Sequence, residues 1–257
     1  MGEYDERFGG IGRLYGTGGL DRLRNSHVCI FGIGGVGSWV AEALARSGIG
    51  KLTLMDMDDL CVTNTNRQVH ALTSNLGRNK AEVMAARIQQ INPEIKVFGI
   101  PSFFTADTAD FLLATKYDYV VDAIDSLANK CLLIAECRKR EYRVITSGGA
   151  GGLQRVGPIR WSDLARATND RLLKDVRKKL RRDHGFPRDP AAEFGVRAVY
   201  STESQVFPNS DGTVCEARED SSTLKLDCAS GFGTATFVAG ALGFAAAEQV
   251  VVELARG

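Results

Sequence analysis

Between residues 27 and 147 the chain alternates short apolar runs with longer stretches of helical period. The runs at 28–31, 52–55, 95–100, 119–121 and 144–146 are brief and bounded by turn residues, which predicts strands. The intervening segments at 38–46, 79–90, 106–113 and 129–140 space their apolar positions as helices do, and Asn92-Pro93 stops the second of them. Strand-like and helix-like segments alternate along this half of the chain. That pattern marks strands covered on both faces, so the prediction is an α/β protein: a doubly wound, mostly parallel sheet with helices on both sides.

Beyond Ser147 the texture changes. Gly148-Gly149-Ala150-Gly151-Gly152 reads as a flexible joint, and residues 156–161 as a further strand. A basic helix is expected from Asp170 to Arg182. Residues 183–222 hold three of the six prolines and little periodicity, so loops are expected there. The expected organisation is one domain over 1–257, with a core over about 25–150 and a C-terminal extension from about 151.

The chemistry concentrates at the ends of the first, second and fourth predicted strands. The turn Gly32-Ile33-Gly34-Gly35-Val36-Gly37 joins the first strand to a helix, an arrangement in which backbone N–H groups meet phosphate oxygens with no side chain in the way. Asp56 closes the second strand about 20 residues later, where a Rossmann-like nucleotide fold places the acid for the ribose hydroxyls. Hydride transfer needs only those glycines and one acid. Here Asp58 and then Asn64-Thr65-Asn66-Arg67-Gln68 follow. Arg67 is suited to clamp a polyphosphate and to stabilise charge on departing pyrophosphate, with Lys80 as a second phosphate contact. Asn64, Asn66 and Gln68 are candidates to orient phosphates or substrate. Asp122 and Asp125 stand at the C-terminal end of the 119–121 strand, where open α/β sheets bind ligands. One of them is placed to hold Mg²⁺ with ATP phosphates, and the other, Asp122 in preference, to cap the next helix.

Composition narrows the partners. The chain has 257 residues, 44% hydrophobic and 25% charged, with a net charge of +1, so it is no general polyanion binder and any nucleic-acid contact must be local. Residues 169–189 carry eight basic against four acidic side chains, a local +4. Lys174, Arg177, Lys178, Arg181 and Arg182 fall near one face of the basic helix, a strip suited to a phosphate backbone or simply to water. The six cysteines form no Cys-x-x-Cys pair, so no structural zinc is expected and a reducing compartment fits best. Cys215 and Cys228 lack a neighbouring His, which disfavours a covalent role; His70 and His184 read as packing or surface residues before base or RNA contact. The start, Met1 to Arg7, is acidic and polar and does not read as a signal peptide. Residues 229–247 are rich in small and apolar side chains. They read as a close-packed core or dimer helix in a cytoplasmic protein, with peripheral membrane association through this helix left open.

Taken together, Gly32-x-Gly34-x-x-Gly37, Asp56-Met57-Asp58, Asn64 to Gln68, Lys80 and Asp122-Ala-Ile-Asp125 resemble the ubiquitin-activating-enzyme-like adenylyltransferases. The resemblance implies ATP and Mg²⁺ as cofactors, Arg67 and Lys80 on phosphates, Asp125 near the metal, and a homodimer. Two features depart from that pattern: zinc-binding members carry paired cysteines, and the N-terminal Arg-aromatic-x-Arg finger is reduced here to Arg7, with Arg13 the nearest substitute. Finer details are similar to the tRNA threonylcarbamoyladenosine dehydratases: residues 7–16, Asp56-Met57-Asp58-Asp59, residues 63–68 and the basic helix. That branch implies ATP-dependent cyclisation of threonylcarbamoyladenosine beside the tRNA anticodon. The neighbouring branch implies activation of the C-terminal glycine of a ubiquitin-like sulfur carrier, which the absent zinc cysteines and the basic helix disfavour. A nucleotide sensor without turnover would not need Arg67, Lys80 and Asp125, and a nicotinamide dehydrogenase leaves residues 64–67 unexplained.

Overall fold

The computed structural model describes residues 2–209, 211–215 and 232–257. The chain begins with two helices, α1 (Glu3–Tyr15) and α2 (Thr17–Asn25). Neither is legible in the sequence pattern, because both are glycine-rich and glycine is among the weakest helix formers. Tertiary burial holds α1: Tyr4 and Phe8 pack on Leu20, and the Tyr4 hydroxyl donates to the carbonyl of Gly48.

The alternation then runs β1 (His27–Phe31), α3 (Gly35–Arg46), β2 (Lys51–Met55), α4 (Lys80–Ile91), β3 (Lys96–Ile100), α5 (Ala109–Leu112), β4 (Tyr119–Asp122), α6 (Leu127–Lys139) and β5 (Val144–Ser147). The C-terminal part supplies β6 (Ile159–Asp163), α7 (Arg171–Asp183), β7 (Arg197–Ser201), a two-stranded ribbon β8 (Phe207–Pro208) and β9 (Val214–Cys215), and α8 (Thr236–Arg256). Seven strands form one sheet in the order β3-β2-β1-β4-β5-β7-β6. Every pairing is parallel except β6 with β7. The α/β reading of the sequence holds.

Both faces of the central strands are covered, which is why β1 and β4 are buried along their length, while the edge strands β3 and β6 keep exposed positions. Val28 and Ile30 of β1 point into a core built with α3, α4 and α8, while Cys29 and Phe31 point into a second core built with α5, α6 and α7. Residues 183–222 are not all loop. Strand β7 lies inside the sheet between β5 and β6, so pairing on both edges creates a strand where five residues give little periodicity. The C-terminal helix has the length and composition of a membrane span, with a mean hydropathy of 1.5 over 18 residues, but 61% of that window is buried within the fold. Its small residues let it lie close on α3: Gly240 and Gly243 face Trp39.

Candidate functional site

The site forms along the C-terminal edge of β1, β2 and β4. Strand β1 runs out at Phe31 and the glycine turn begins at once. It is pinned on both sides, since Gly32 N–H donates to Met55 of β2 and Ala123 N–H donates to Phe31. The spacing is enforced sterically. Gly32 sits at φ +87°, and a Cβ there would lie 2.7 Å from the carbonyl oxygen of Ala123. At Gly37 a Cβ would lie 1.8 Å from the carbonyl oxygen of Gly32, so no side chain fits. Helix α3 starts from Gly34 with no capping side chain, leaving its first N–H groups without a local acceptor. Those donors, together with the positive end of the helix dipole, make an anion cradle.

Asp56 stands beside the turn. Its Oδ2 accepts Ile33 N–H at 2.7 Å and its Oδ1 accepts Asp58 N–H at 2.9 Å. Burial raises its pKa, opposed by the charge of Lys80. Each oxygen keeps accepting capacity for a further donor such as a ribose hydroxyl. Lys80, the first residue of α4, is buried, and its Nζ meets Asp58 Oδ2 at 2.7 Å. Asn79 fixes that geometry. Its side chain caps α4 through Ala81 and Glu82 N–H, and its amide donates to the carbonyls of Asp56 and Asp58. Asn79 was legible as a helix start, but its grip on the Asp56–Asp58 loop depends on the fold.

The 64–68 segment is a tied turn. Asn64 is buried and accepts from Cys61 N–H, holding a single 3-10 turn, and Gln68 is buried with its amide facing Gly34. Arg67 lies over Gly35, with its Cδ and Cγ 3.4 Å from where a Cβ would be. Its Nη1 donates to Thr63 O and Asn66 Oδ1, and its carbonyl accepts from the indole of Trp39. Asn66 reaches further, donating to Thr234 O at 2.9 Å and Oγ1 at 3.2 Å ahead of α8. His70, behind this turn, is 1% exposed with neither ring nitrogen partnered among the described residues, and burial with Lys80 and Arg87 nearby lowers its pKa to about 4.

The two carboxylates after β4 divide. Asp122 is fully buried in an ion pair with Lys130 of α6 at 2.9 Å, and it also accepts from Thr146 Oγ1 and Ile124 N–H. The Lys130 ammonium donates in turn to Ile124 O. The pair therefore fixes the 123–125 loop, and Asp122 does not cap α6, whose N-cap is Ser126. Lys130 carries no motif in the sequence. Asp125 is exposed, and no side-chain hydrogen bond or ion pair among the described residues engages it. No three His, Cys, Asp or Glu side chains converge as a metal cluster among the described residues.

The basic strip of α7 differs from the helical-wheel expectation. Leu173, Val176 and Leu180 are the buried face. Arg177 and Arg181 flank it and are half-buried: burial and the nearby Arg181 charge lower the pKa of Arg177, and Arg181 donates to Pro187 O while lying 5.0 Å over the Phe194 ring. The outward charges are Lys174, Lys178 and Arg182, the last paired to Asp183 at 2.6 Å. His184 is half-buried. Cys215 Sγ donates to Asn209 Oδ1, Arg7 pairs with Glu3, and Cys228 lies outside the described residues.

Comparison with known proteins matches residues 10–251 to the ThiF family. The tRNA threonylcarbamoyladenosine dehydratase of Escherichia coli K12 is 49% identical over 97% of this chain and 93% of that protein. The Haemophilus influenzae protein of the same name is 47% identical over 98% and 95%. The crystal structure of the E. coli dehydratase, TcdA, in complex with ATP superposes with a TM-score of 0.87 at 44% identity, covering 97% of this chain and 94% of that one.

Proposed function

Since this chain belongs to the ThiF family, and within it to the tRNA threonylcarbamoyladenosine dehydratases, we propose that it uses ATP to cyclise threonylcarbamoyladenosine beside the tRNA anticodon. The observation that carries the reading is the convergence at one sheet edge of an uncapped helix start, the tied Arg67 turn, Lys80 and an unengaged Asp125. The α3 N–H groups behind Gly32, Gly34, Gly35 and Gly37 receive phosphate oxygens, and Asp56 receives the ribose.

In the first step a carboxylate oxygen of the threonyl group attacks the α-phosphorus of ATP, and the bond to pyrophosphate breaks. Arg67 and Lys80 face the charge that accumulates on the leaving group, and Asn66 holds Arg67 in place. Asp58 orients the Lys80 ammonium; Asn64 and Gln68 hold the turn against Gly34. The product is a mixed anhydride with AMP. The carbamoyl group of the same side chain then attacks the activated carbonyl, AMP leaves with the carboxylate oxygen, and the ring closes with the net loss of one water. Because nucleophile and electrophile share one side chain, positioning supplies much of the acceleration and no enzyme cysteine is required.

Asp125 fits Mg²⁺, because Asp122 is consumed by Lys130 while Asp125 is open to solvent, and this hard cation binds through one or two carboxylates plus phosphates. Bound there, the ion would neutralise phosphate charge. Lys174, Lys178 and Arg182 form the outward face offered to tRNA, with Arg177 and Arg181 behind them. One sheet drawing strands from both halves of the sequence supports a single domain over 1–257. We read the assembly as a homodimer in the cytoplasm, with α8 as a core helix rather than a membrane anchor, a reading supported by its burial. Release of AMP and pyrophosphate from ATP only when tRNA carries the modified adenosine tests the function; equal release with unmodified tRNA refutes it.

A further inference from the structure

One cavity outside the nucleotide site is almost wholly apolar. It measures about 430 Å³ and is walled by Leu153, Val206, Pro208, Val214, Thr234 and Phe237. Its volume is that of an ordinary small-molecule site. Two aliphatic and aromatic side chains stand at its rim unusually exposed, Val214 at 62% and Phe237 at 60%. We infer that this cavity receives the modified adenosine itself, extruded from the anticodon loop, with its flat base against Phe237 and its acyl side chain directed at the glycine turn. The inference rests on the dehydratase reading and names the substrate site that reading leaves open.

Three contacts place the cavity between the ATP cradle and the basic helix. Thr234, on its wall, accepts two hydrogen bonds from Asn66, which in turn accepts from Arg67. Phe237 lies in the first turn of α8, and Ala239, two residues on, sits 3.6 Å from where a Gly35 Cβ would be. Through Thr234 and Asn66 the cavity wall is joined to the Arg67 turn, which lies over Gly35 of the phosphate-binding turn. On the far side, Arg171 at the start of α7 lies 5.6 Å over the ring of Phe207, whose neighbour Pro208 lines the cavity. An RNA backbone lying on α7 thus ends at the cavity mouth.

The lining also favours a base over a peptide. An extended carrier-protein tail needs backbone partners along its length, and the walls offer mostly hydrocarbon. A single-stranded loop base needs an apolar slot, an aromatic face and few polar groups.

The test uses the full chain, ATP, and an anticodon stem-loop RNA carrying threonylcarbamoyladenosine. Single-turnover kcat/KM for ring closure and the Kd for ATP are compared for wild type, Phe237→Ala, Phe237→Trp and Val214→Arg. Loss of a base-stacking face should lower kcat/KM roughly 10-fold or more in Phe237→Ala, with Phe237→Trp restoring it and ATP affinity unchanged. Val214→Arg should obstruct entry with the same signature. If wild type closes the ring and both Phe237→Ala and Val214→Arg stay within about twofold of it, the cavity is not the substrate site. If wild type fails to close the ring, the dehydratase reading itself falls, and the wild-type arm alone reports that.

Discussion

The charges at the strand ends and the charges on α7 are held in opposite ways. At the strand ends all but the open Asp125 are locked by specific partners: Asp56 by two backbone N–H groups, Lys80 by Asp58, and Asp122 by Lys130 with no exposure of either. On α7 the outward Lys174 and Lys178 extend into water, on the side of the helix away from its buried Leu173, Val176 and Leu180. Locked charges set where reacting atoms sit, and their loss is felt in kcat and in folding. Solvated charges attract a partner through a field that salt screens, so their loss is felt in KM.

Breaking the lock should have the largest effect. Lys130→Met leaves the Asp122 carboxylate buried and unpaired, at a cost of about 3–5 kcal/mol. Chemical denaturation would read it, and Asp122→Asn combined with Lys130→Met should recover part of the loss. No loss in the single variant would show that the pair does not hold the 123–125 loop. Next comes Arg67→Ala, expected to lower kcat by about 10²–10³, as loss of one transition-state charge contact does. Melting should be nearly unchanged, because the turn is also held by the Arg67 carbonyl and by Asn64, which this substitution leaves in place. Near-normal turnover would remove Arg67 from the chemistry.

His70 sharpens the comparison through pH. Its folded pKa is lowered to about 4 from an ordinary 6.5, so the folded protein binds fewer protons than the unfolded chain over that window. Its contribution is present above pH 6.5 and is lost as pH falls toward 4, on the order of 3 kcal/mol. His70→Leu should flatten that part of the stability-pH curve; an unchanged curve would assign the acid sensitivity to His27, whose pKa burial also lowers to about 4. The smallest effect belongs to α7. Lys174→Glu with Lys178→Glu should raise KM for tRNA several-fold, on the order of 1 kcal/mol, more at low salt than at high, and leave ATP binding alone. Equal KM at both ionic strengths would make the helix a solvated face only.

The sequence made legible what depends on local chemistry and period: the five parallel strands of the first half, the glycine turn with its acid, and the basic helix α7. It hid what depends on distant partners. Lys130 looks like any helical lysine until β4 brings Asp122 beside it, and β7 becomes a strand only through β5 and β6. The two wheel positions that turned inward, Arg177 and Arg181, did so because residues 186–194 fold back over α7 and supply Pro187 and Phe194, contacts no helical projection contains. The apolar cavity is assembled from four separate stretches, at 152–154, 206–208, 214 and 233–237, so no motif announces it.

Mass spectrometry of nucleosides from threonylcarbamoyladenosine-containing tRNA, after incubation with the protein and Mg-ATP, tests the central claim most directly. Loss of the mass of one water from the modified nucleoside, dependent on ATP and accompanied by AMP, is the predicted result. An unchanged nucleoside mass with protein that binds ATP would contradict it.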